Sequence, residues 1–196
     1  DWCGNTCNED MCLTEIQIES NNQKGFIADE IGELTNLVDI RLEKGEIGGT
    51  IPTTIGKLTK LNFLDLDYQV LTGTLPNGLW SLTELTTIDL NNNKLTGTID
   101  TGIGNLINLD FVQMQYNEFS GSIPDVFGGF TKIEKVQLEG NNLSGAMPNS
   151  LCSHRCVAGI TNTDSCLSRL RSDCGGPTAT VSCSAPDCCD DCPMPV

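Results

Sequence analysis

Eleven cysteines and one histidine are the residues of this sequence with the widest chemical range. The cysteines are crowded at the two ends of the chain, and residues 13–151 contain none. They are Cys3, Cys7, Cys12, Cys152, Cys156, Cys166, Cys174, Cys183, Cys188, Cys189 and Cys192. This distribution is typical of disulfide-bonded terminal segments in an oxidising compartment. Because eleven is an odd number, at least one thiol is free or pairs with another chain, which allows an intermolecular disulfide.

Metal binding and catalysis are the alternatives to disulfides. The spacing of Cys189 and Cys192 is compatible with zinc, but His154 is the only histidine that could complete such a site. The sequence has no Gly-x-Ser-x-Gly, His-Glu-x-x-His or P-loop motif. Paired carboxylates such as Asp65 and Asp89 support acid–base catalysis only in a cleft. We therefore expect a protein that is not an enzyme and that carries neither a cofactor nor a metal.

The charge and hydropathy of the chain exclude further classes of protein. A formal net charge of −15 argues against nucleic-acid binding, which depends on clustered cations. No apolar run approaches the roughly 18 residues of a membrane span. Hydrophobic residues make up 38% of the chain and aromatic residues 5%, which predicts a mainly aliphatic core. The chain begins with Asp1 and shows no charged-then-apolar leader, so we expect a processed or excised chain.

A strict period of 24 residues organises the cysteine-free region. Successive units open at Leu34, Leu58, Leu82, Leu106 and Phe130, and an earlier unit whose first apolar residue is Leu13 makes six. Unit positions 1, 4, 7, 9, 14, 18 and 22 are apolar throughout, apart from Asp10 and Gln23 in the first unit. Each unit therefore predicts a short strand, a turn, a second extended segment and a short helical return, stacked on its neighbours around one core.

Two polar columns repeat with the same period. Glycine recurs in all six units, as Gly25, Gly49, Gly73, Gly97, Gly121 and Gly145. Asparagine recurs in four of them, as Asn21, Asn93, Asn117 and Asn141, and its amide can satisfy buried backbone groups at the turn. Gly45 and Gln69 replace it in units two and three. We expect an irregular turn at those two units.

The repeats contain Leu-Thr-Gly-Thr-Ile at 95–99, Phe-Ser-Gly-Ser-Ile-Pro at 119–124 and Ile-Gly-Lys-Leu-Thr-Lys-Leu at 55–61. These segments resemble the plant-type extracellular leucine-rich repeat. The resemblance implies an α/β fold, namely a right-handed leucine-rich-repeat solenoid with a parallel β-sheet on the concave face and disulfide-rich caps. It also implies a function in binding, as in receptor ectodomains, co-receptors and secreted inhibitors. The expected organisation is an N-terminal cap at 1–12, six repeats at 13–151 and a Cys-rich C-terminal cap at 152–196.

Acidic and aromatic side chains meet on the predicted concave face. Residues that flank the two buried positions of each strand are expected to point to solvent. Four of the ten aromatic residues fall there, two units apart, together with three acids. The predicted ligand site in units three to five consists of Phe63, Asp65, Asp67, Tyr68, Asp89, Phe111 and Tyr116. Adjacent like charges favour a partner with basic groups, and the aromatic rings favour a protein or carbohydrate surface. The acids could also bind Ca²⁺, although we expect solvated carboxylates.

The sequence thus predicts a secreted or cell-surface recognition module. A structural subunit of an extracellular assembly or cell covering is the first alternative. Ice binding is a lesser alternative, suggested by hydroxyl columns that run through Thr72, Thr96 and Ser120 and through Thr74, Thr98 and Ser122. Asn142 begins the only N-glycosylation sequon, Asn-Leu-Ser.

Overall fold

A computed structural model describes residues 6–7, 13–19, 23–153, 169–171 and 181–182. The repeats form stacked coils, and each coil contributes one strand to a long sheet of eight strands. The first two strands of this sheet are antiparallel and all others are parallel. Its strands, in spatial order, are β1 (Thr6–Cys7), β2 (Leu13–Glu19), β4 (Asp39–Glu43), β6 (Phe63–Asp65), β8 (Thr87–Asp89), β10 (Phe111–Gln113), β12 (Lys135–Gln137) and β14 (Arg169–Arg171).

The second extended segment of each coil builds a separate parallel array. Its strands are β3 (Lys24–Phe26), β5 (Glu46–Gly48), β7 (Thr72–Gly73), β9 (Lys94–Thr98), β11 (Glu118–Ser122), β13 (Asn142–Ala146) and β15 (Val181–Ser182). They divide into a two-stranded sheet, β3–β5, and a five-stranded sheet from β7 to β15. In the long sheet, strands from successive repeats pair without any slip, for example Asp65 opposite Asp89. The 24-residue period therefore sets the register directly.

Short 3-10 helices return each coil to the next strand. They span Asp29–Glu33, Thr53–Lys57, Asn77–Ser81, Thr101–Asn105 and Phe127–Gly129. Pro52 and Pro76 precede two of them, where a fixed φ suits the first turn and no N–H is lost. Neighbouring returns approach so closely that a Cβ on Gly56 would lie 2.7 Å from the Cα of Gly78. The sequence expectation of a short helical or 3-10 return is confirmed.

The core follows the seven predicted columns. In units three to six every one of them is buried. The first coil is more open, because Leu13 and Ile18 are only partly buried. An apolar cavity of about 810 Å³ is lined by the first two coils together with Leu64 and Leu66 of the third. The expectation of a mainly aliphatic core is confirmed, and the core also contains the fully buried Phe119, Phe127 and Phe130.

Side-chain amides tie each coil to the coil before it. Asn117 accepts a hydrogen bond from the Leu95 amide at 3.0 Å and donates to the Leu90 carbonyl at 2.9 Å. Asn93 bonds the backbone of the preceding coil in the same way, with its oxygen on the Leu71 amide. These bonds satisfy buried backbone groups that face the turn. Asn21 lies outside the described residues.

Gln69 continues this amide ladder, contrary to the expectation of an irregular turn. It accepts from the Ile47 amide at 2.9 Å and donates to the Leu42 carbonyl at 2.8 Å, the same relative positions that Asn93 uses. The longer side chain fits because Gly45 leaves room: a Cβ on Gly45 would lie 2.8 Å from Gln69 Oε1. The irregularity is instead in the second strand of unit three, since β7 has two residues and belongs to a different sheet from β5. The Val70 and Thr72 amides still donate to the Ile47 and Gly49 carbonyls.

We expect Gly45→Asn to destabilise the protein by about 1–3 kcal/mol, because the new side chain displaces the Gln69 amide and leaves buried backbone groups unpaired. Adding Gln69→Asn should recover most of this loss, since the shorter amide would bond as that of Asn93 does. Urea unfolding of both single variants and the double variant measures the coupling free energy. Strictly additive effects would show that the two residues are independent.

The segment after Cys152 contributes one more strand to each array. β14 pairs with β12, and β15 pairs with β13. Cys152 lies in the short helix α1 (Asn149–Cys152) and is disulfide-bonded. The side chains of the other cysteines lie outside the described residues, so their pairing and the cap boundaries stay predictions. Within the residues described here, no helix is long and apolar enough to cross a membrane.

Candidate functional site

The concave face is lined by polar side chains that are packed against one another. Asp65 and Asp89 are only 8% and 7% exposed, and Asn91 and Gln115 are similarly buried. The expectation that these positions point freely to solvent is therefore wrong. Strands roughly 4.8 Å apart bring equivalent side chains into columns, and each side chain covers the next.

Three of the predicted site residues form one carboxylate cluster, defined as Asp65, Asp67 and Asp89. One oxygen of each lies within 4.8 Å of the others. Asp89 accepts hydrogen bonds from the amide and side chain of Asn91 and from the side chain of Gln113. Asp65 accepts one, from the Asp67 amide at 3.0 Å. Among the described residues, Asp67 Oδ1 is buried and has no hydrogen-bond partner, so Asp89 has the most donors of the three carboxylates.

Burial raises the pKa of all three carboxyls, and the proximity of Asp89 raises the pKa of Asp65 and Asp67 further. The pKa of Asp65 rises from 3.8 to about 7, first because burial disfavours the charged form and then because Asp89 is close. The pKa of Asp67 rises to about 6 for the same two reasons. Burial also raises the pKa of Asp89, and the hydrogen bonds from Asn91 oppose the rise. The cluster therefore stores unfavourable electrostatic energy at neutral pH.

The nearby cations do not form ion pairs with the cluster in the part of the chain that the structure describes. Arg41 makes a two-pronged contact with Asp39, at 2.9 and 2.8 Å. Lys44 approaches Glu43 at 4.0 Å. Lys135 donates to the side chain of Gln113, which in turn donates to Asp89, and the positive charge of Lys135 opposes the rise in the pKa of Asp89 without a direct ion pair. The three carboxylates therefore lack a direct counter-ion.

Two exposed tyrosines stand at the end of the strands. Tyr68 is 51% exposed and Tyr116 is 55% exposed. Both have left-handed backbone conformations, with φ of 48° and 57°, and share this column with Lys44, Asn92 and Gly140. Asparagine and glycine adopt this conformation readily, whereas an aromatic residue there is uncommon and strained. Two units separate the tyrosines, so their Cα atoms lie about 10 Å apart across the sheet.

The two phenylalanines of the predicted site are less accessible than the tyrosines. Phe63 and Phe111 are half-buried, in β6 and β10. The guanidinium carbon of Arg41 lies 4.0 Å from the centre of the Phe63 ring. Phe63 therefore already has a cationic partner within the chain, and Tyr68 and Tyr116 are the more available aromatic surface.

Three contributors to this site lie on the predicted concave face but outside the seven residues predicted as the ligand site. Gln115 is 8% exposed, and its buried Oε1 has no hydrogen-bond partner in the described part of the chain. Gln113 relays Lys135 to Asp89, and Arg41 is held by Asp39. Gln113 and Gln115 follow the same column positions as Asp89 and Asn91, so the 24-residue register was the signal that could have found them.

The carboxylates of this site can bind a cationic group, and its exposed tyrosines can pack against a ring of the ligand. Within the described residues, Asp65, Asp67 and Asp89 are the one group of acids or cysteines close enough together to hold a metal ion. Ca²⁺ takes six to eight oxygens, whereas Asp89 already accepts three hydrogen bonds. The remaining free oxygens suit a donor that needs few acceptors, such as a basic side chain.

A second polar surface lies on the five-stranded sheet. Thr72, Thr74, Thr98, Ser120 and Ser122 are exposed there, and Thr96 is half-buried. Asn142 is also exposed, at the start of β13 opposite Ser120. The hydroxyls expected from the sequence therefore lie on one sheet, but the predicted columns are wrong by two residues. Ser120 pairs with Thr98 and Thr96 pairs with Glu118, and the glycosylation sequon lies at the edge of this group.

Comparison with known proteins agrees with this architecture. Residues 83–143 match the family model described as leucine rich repeat. No curated protein matches the chain significantly. The ectodomain of the plant membrane receptor kinase GASSHO1/SCHENGEN3 from Arabidopsis thaliana, in complex with CASPARIAN STRIP INTEGRITY FACTOR 2, is 29% identical, with a TM-score of 0.74 over 77% of this chain and 18% of that one.

Two further structures are similar to a comparable extent. The plant peptide hormone receptor RGFR1 in complex with RGF2 is 32% identical, with a TM-score of 0.69 over 70% of this chain and 22% of that one. A plant ice-binding protein is 30% identical, with a TM-score of 0.65 over 70% of this chain and 45% of that one. The chain spans less than half the length of each of these three proteins. It has the leucine-rich-repeat solenoid fold and is similar to the ectodomains of plant receptors.

Proposed function

We propose that this chain is an extracellular, non-catalytic recognition module, secreted or at the cell surface, that binds a protein or carbohydrate ligand on its concave face. The site comprises Phe63, Asp65, Asp67, Tyr68, Asp89, Phe111 and Tyr116. Two similar plant receptors were solved in complex with the partners that their names give, which supports a binding role for this fold. The acidity of the chain argues against nucleic acid as the partner.

The exposed tyrosines carry this proposal. Tyr68 and Tyr116 occupy left-handed positions that asparagine would adopt at lower cost, as Asn92 does between them. Local strain tends to persist at functional sites, where a strained residue does something that its relaxed replacement cannot. Large aromatic side chains, half exposed beside charged groups, are the residues that most often dominate binding energy.

We expect the double variant Tyr68→Asn/Tyr116→Asn to lose at least tenfold in ligand capture, because each buried interface tyrosine commonly contributes about 2 kcal/mol or more. The immobilised chain is incubated with the extracellular protein and glycan fraction of the source organism, and bound material is quantified by mass spectrometry. The variant should also be slightly more stable than the wild type, since asparagine relieves the left-handed strain.

Ile107→Asn is the matched control, because Ile107 is equally exposed at 51% and lies in a turn outside the long sheet. It should capture the same material as the wild type. Capture that survives in the double tyrosine variant, or that fails equally in the Ile107 variant, would contradict a concave site.

Ice binding is the second candidate, favoured by the exposed hydroxyls and by similarity to a plant ice-binding protein. If it is correct, the chain shows thermal hysteresis, and replacing Thr74 and Thr98 with lysine abolishes it while the tyrosine variant keeps it.

A glycan on Asn142 would crowd this same sheet and leave the concave face free. Enzymatic deglycosylation followed by mass measurement tests whether Asn142 is occupied.

A further inference from the structure

We propose that the ligand of the concave face is a polypeptide segment that places an arginine side chain against the carboxylate cluster, between Tyr68 and Tyr116. This inference rests on the proposed function and specifies the chemistry of its ligand. It follows from three features of the face: carboxylates without a counter-ion, buried oxygens without donors, and a pattern of guanidinium binding that the chain already shows.

The first feature is uncompensated negative charge. None of Asp65, Asp67 and Asp89 forms an ion pair among the described residues, although their oxygens lie within 4.8 Å of one another. Their like charges repel, and the neighbouring Arg41 is held by Asp39. A ligand that supplies a positive charge here removes this repulsion, whereas a neutral sugar ring does not.

The second feature is a pair of buried acceptors that have no donor. Within the described parts of the chain, Asp67 Oδ1 and Gln115 Oε1 are both buried and have no hydrogen-bond partner, and Gln115 as a whole is 8% exposed. The two residues share one column of the concave face with Asn91 between them, because the Tyr68 amide bonds Asn91 and the Asn92 amide bonds Gln115. Buried polar atoms in native proteins normally have partners, so donors from outside the chain are expected along this column.

The third feature is the contact that Arg41 makes on the same sheet. Its guanidinium donates two hydrogen bonds to the Asp39 carboxylate, and its central carbon lies 4.0 Å from the centre of the Phe63 ring. One carboxylate and one aromatic face thus suffice to hold an arginine on this surface. Asp67 and the exposed Tyr68 that follows it offer the same two groups. Oδ1 of Asp67 has no hydrogen-bond partner among the residues that the structure describes. Arginine fits better than lysine because its planar donors match a carboxylate and its face packs on a ring.

The spacing of the tyrosines sets the shape of the ligand. Their Cα atoms are about 10 Å apart, which an extended chain spans with three residues at about 3.3 Å each. Because successive side chains of an extended chain point to opposite faces, an arginine shares its face with the residues two positions before and after it. If those two residues are apolar or aromatic, the segment contacts both tyrosines and the cluster at once. The segment runs along the axis of the solenoid, across the strands.

The probe is a pool of fluorescein-labelled, terminally capped heptapeptides with arginine at the centre and uncharged residues elsewhere. Matched pools carry glutamine, lysine or glutamate at the centre, and binding is followed by fluorescence polarisation. We expect the arginine pool to bind at least tenfold more tightly than the glutamine pool, and the glutamate pool to bind least. Equal binding of the arginine and glutamine pools would overturn the proposal.

Asp65→Asn/Asp67→Asn is the diagnostic variant and should lose the preference for arginine. Glu84→Gln/Glu118→Gln changes the net charge equally at two exposed sites and should keep it. Addition of CaCl₂ at constant ionic strength should leave binding of the arginine pool unchanged. Displacement by micromolar Ca²⁺ would assign the cluster to a metal ion instead and overturn the proposal.

The same variants separate this inference from the proposed function. If ligand capture from the extracellular fraction depends on Tyr68 and Tyr116 but survives Asp65→Asn/Asp67→Asn, the concave site stands and the arginine is refuted. If capture is insensitive to the tyrosines as well, the proposed function itself fails.

Discussion

The wild-type protein should become more stable as the pH falls from 8 to 5, by about 2–3 kcal/mol in the free energy of unfolding. The cause is Asp65, whose pKa is about 7 in the folded protein against an ordinary value of 3.8. Between these values the folded state binds more protons than the unfolded state, so stability rises as protons are added. Asp67, with a pKa of about 6, acts in the same direction but is more exposed to solvent, so little is counted for it.

Urea denaturation at pH 5, 6, 7 and 8 measures this dependence. The lowered pKa values of Glu33 and Asp125 do not oppose it in this range, because their stabilisation is lost only below their ordinary values near 4. Asp65→Asn should be more stable than the wild type at pH 8 and should respond less to pH, since its amide can still accept from the Asp67 backbone. A wild-type curve parallel to that of the variant would show that Asp65 is not strained at neutral pH.

Leu90→Ala should cost about 2–5 kcal/mol of the free energy of unfolding. Leu90 is fully buried, directly after β8, with coils on both sides that cannot collapse into the space left by the side chain. Thermal or urea unfolding measures the loss. Thr98→Ala, at an exposed position of β9, is the control and should stay within about 0.5 kcal/mol of the wild type.

The sequence alone would have suggested Asn91→Ala as a control, and the structure shows why this choice is wrong. Asn91 is buried, and its amide and side chain both donate to Asp89. Its removal leaves the carboxylate with fewer donors and should be measurably destabilising. Similar melting of the Leu90 and Thr98 variants would mean that the assignment of buried and exposed faces is shifted by one residue.

The repeat predicted most of the fold because every level of the sequence supports the same arrangement. Buried columns, left-handed glycines such as Gly97 and the Asn93 ladder all recur at 24 residues, and the structure confirms each of them in the central units. The amide of Gln69 was not recognised as part of the ladder, because its reach depends on the space beside Gly45. That space belongs to a neighbouring coil and is not visible in a single unit.

The sequence predicted which acidic residues lie together in the candidate site, but not their burial or their lack of a counter-ion. Column positions placed Asp65, Asp67 and Asp89 on one face, and the structure brings them within 4.8 Å. Their burial was missed, because alternation along a strand distinguishes the two faces of a sheet but not how tightly neighbouring columns pack. The absence of a counter-ion among the described residues was also unpredictable, since Arg41 is held by Asp39, two residues away on its own strand.

The pairing of Gly45 with Gln69 has a consequence for how such arrays change in length. Repeat proteins grow and shrink by duplication and loss of whole units, and most units here carry an asparagine that fits any neighbour of the same kind. Units two and three are different, because a space in one is filled by a side chain of the other. A recombination event between them would place Gln69 against a coil that lacks the space, or leave Gly45 facing a shorter amide. We therefore expect the two units to be inherited, and to be transplanted in engineered arrays, as a single module of 48 residues, twice the 24-residue period.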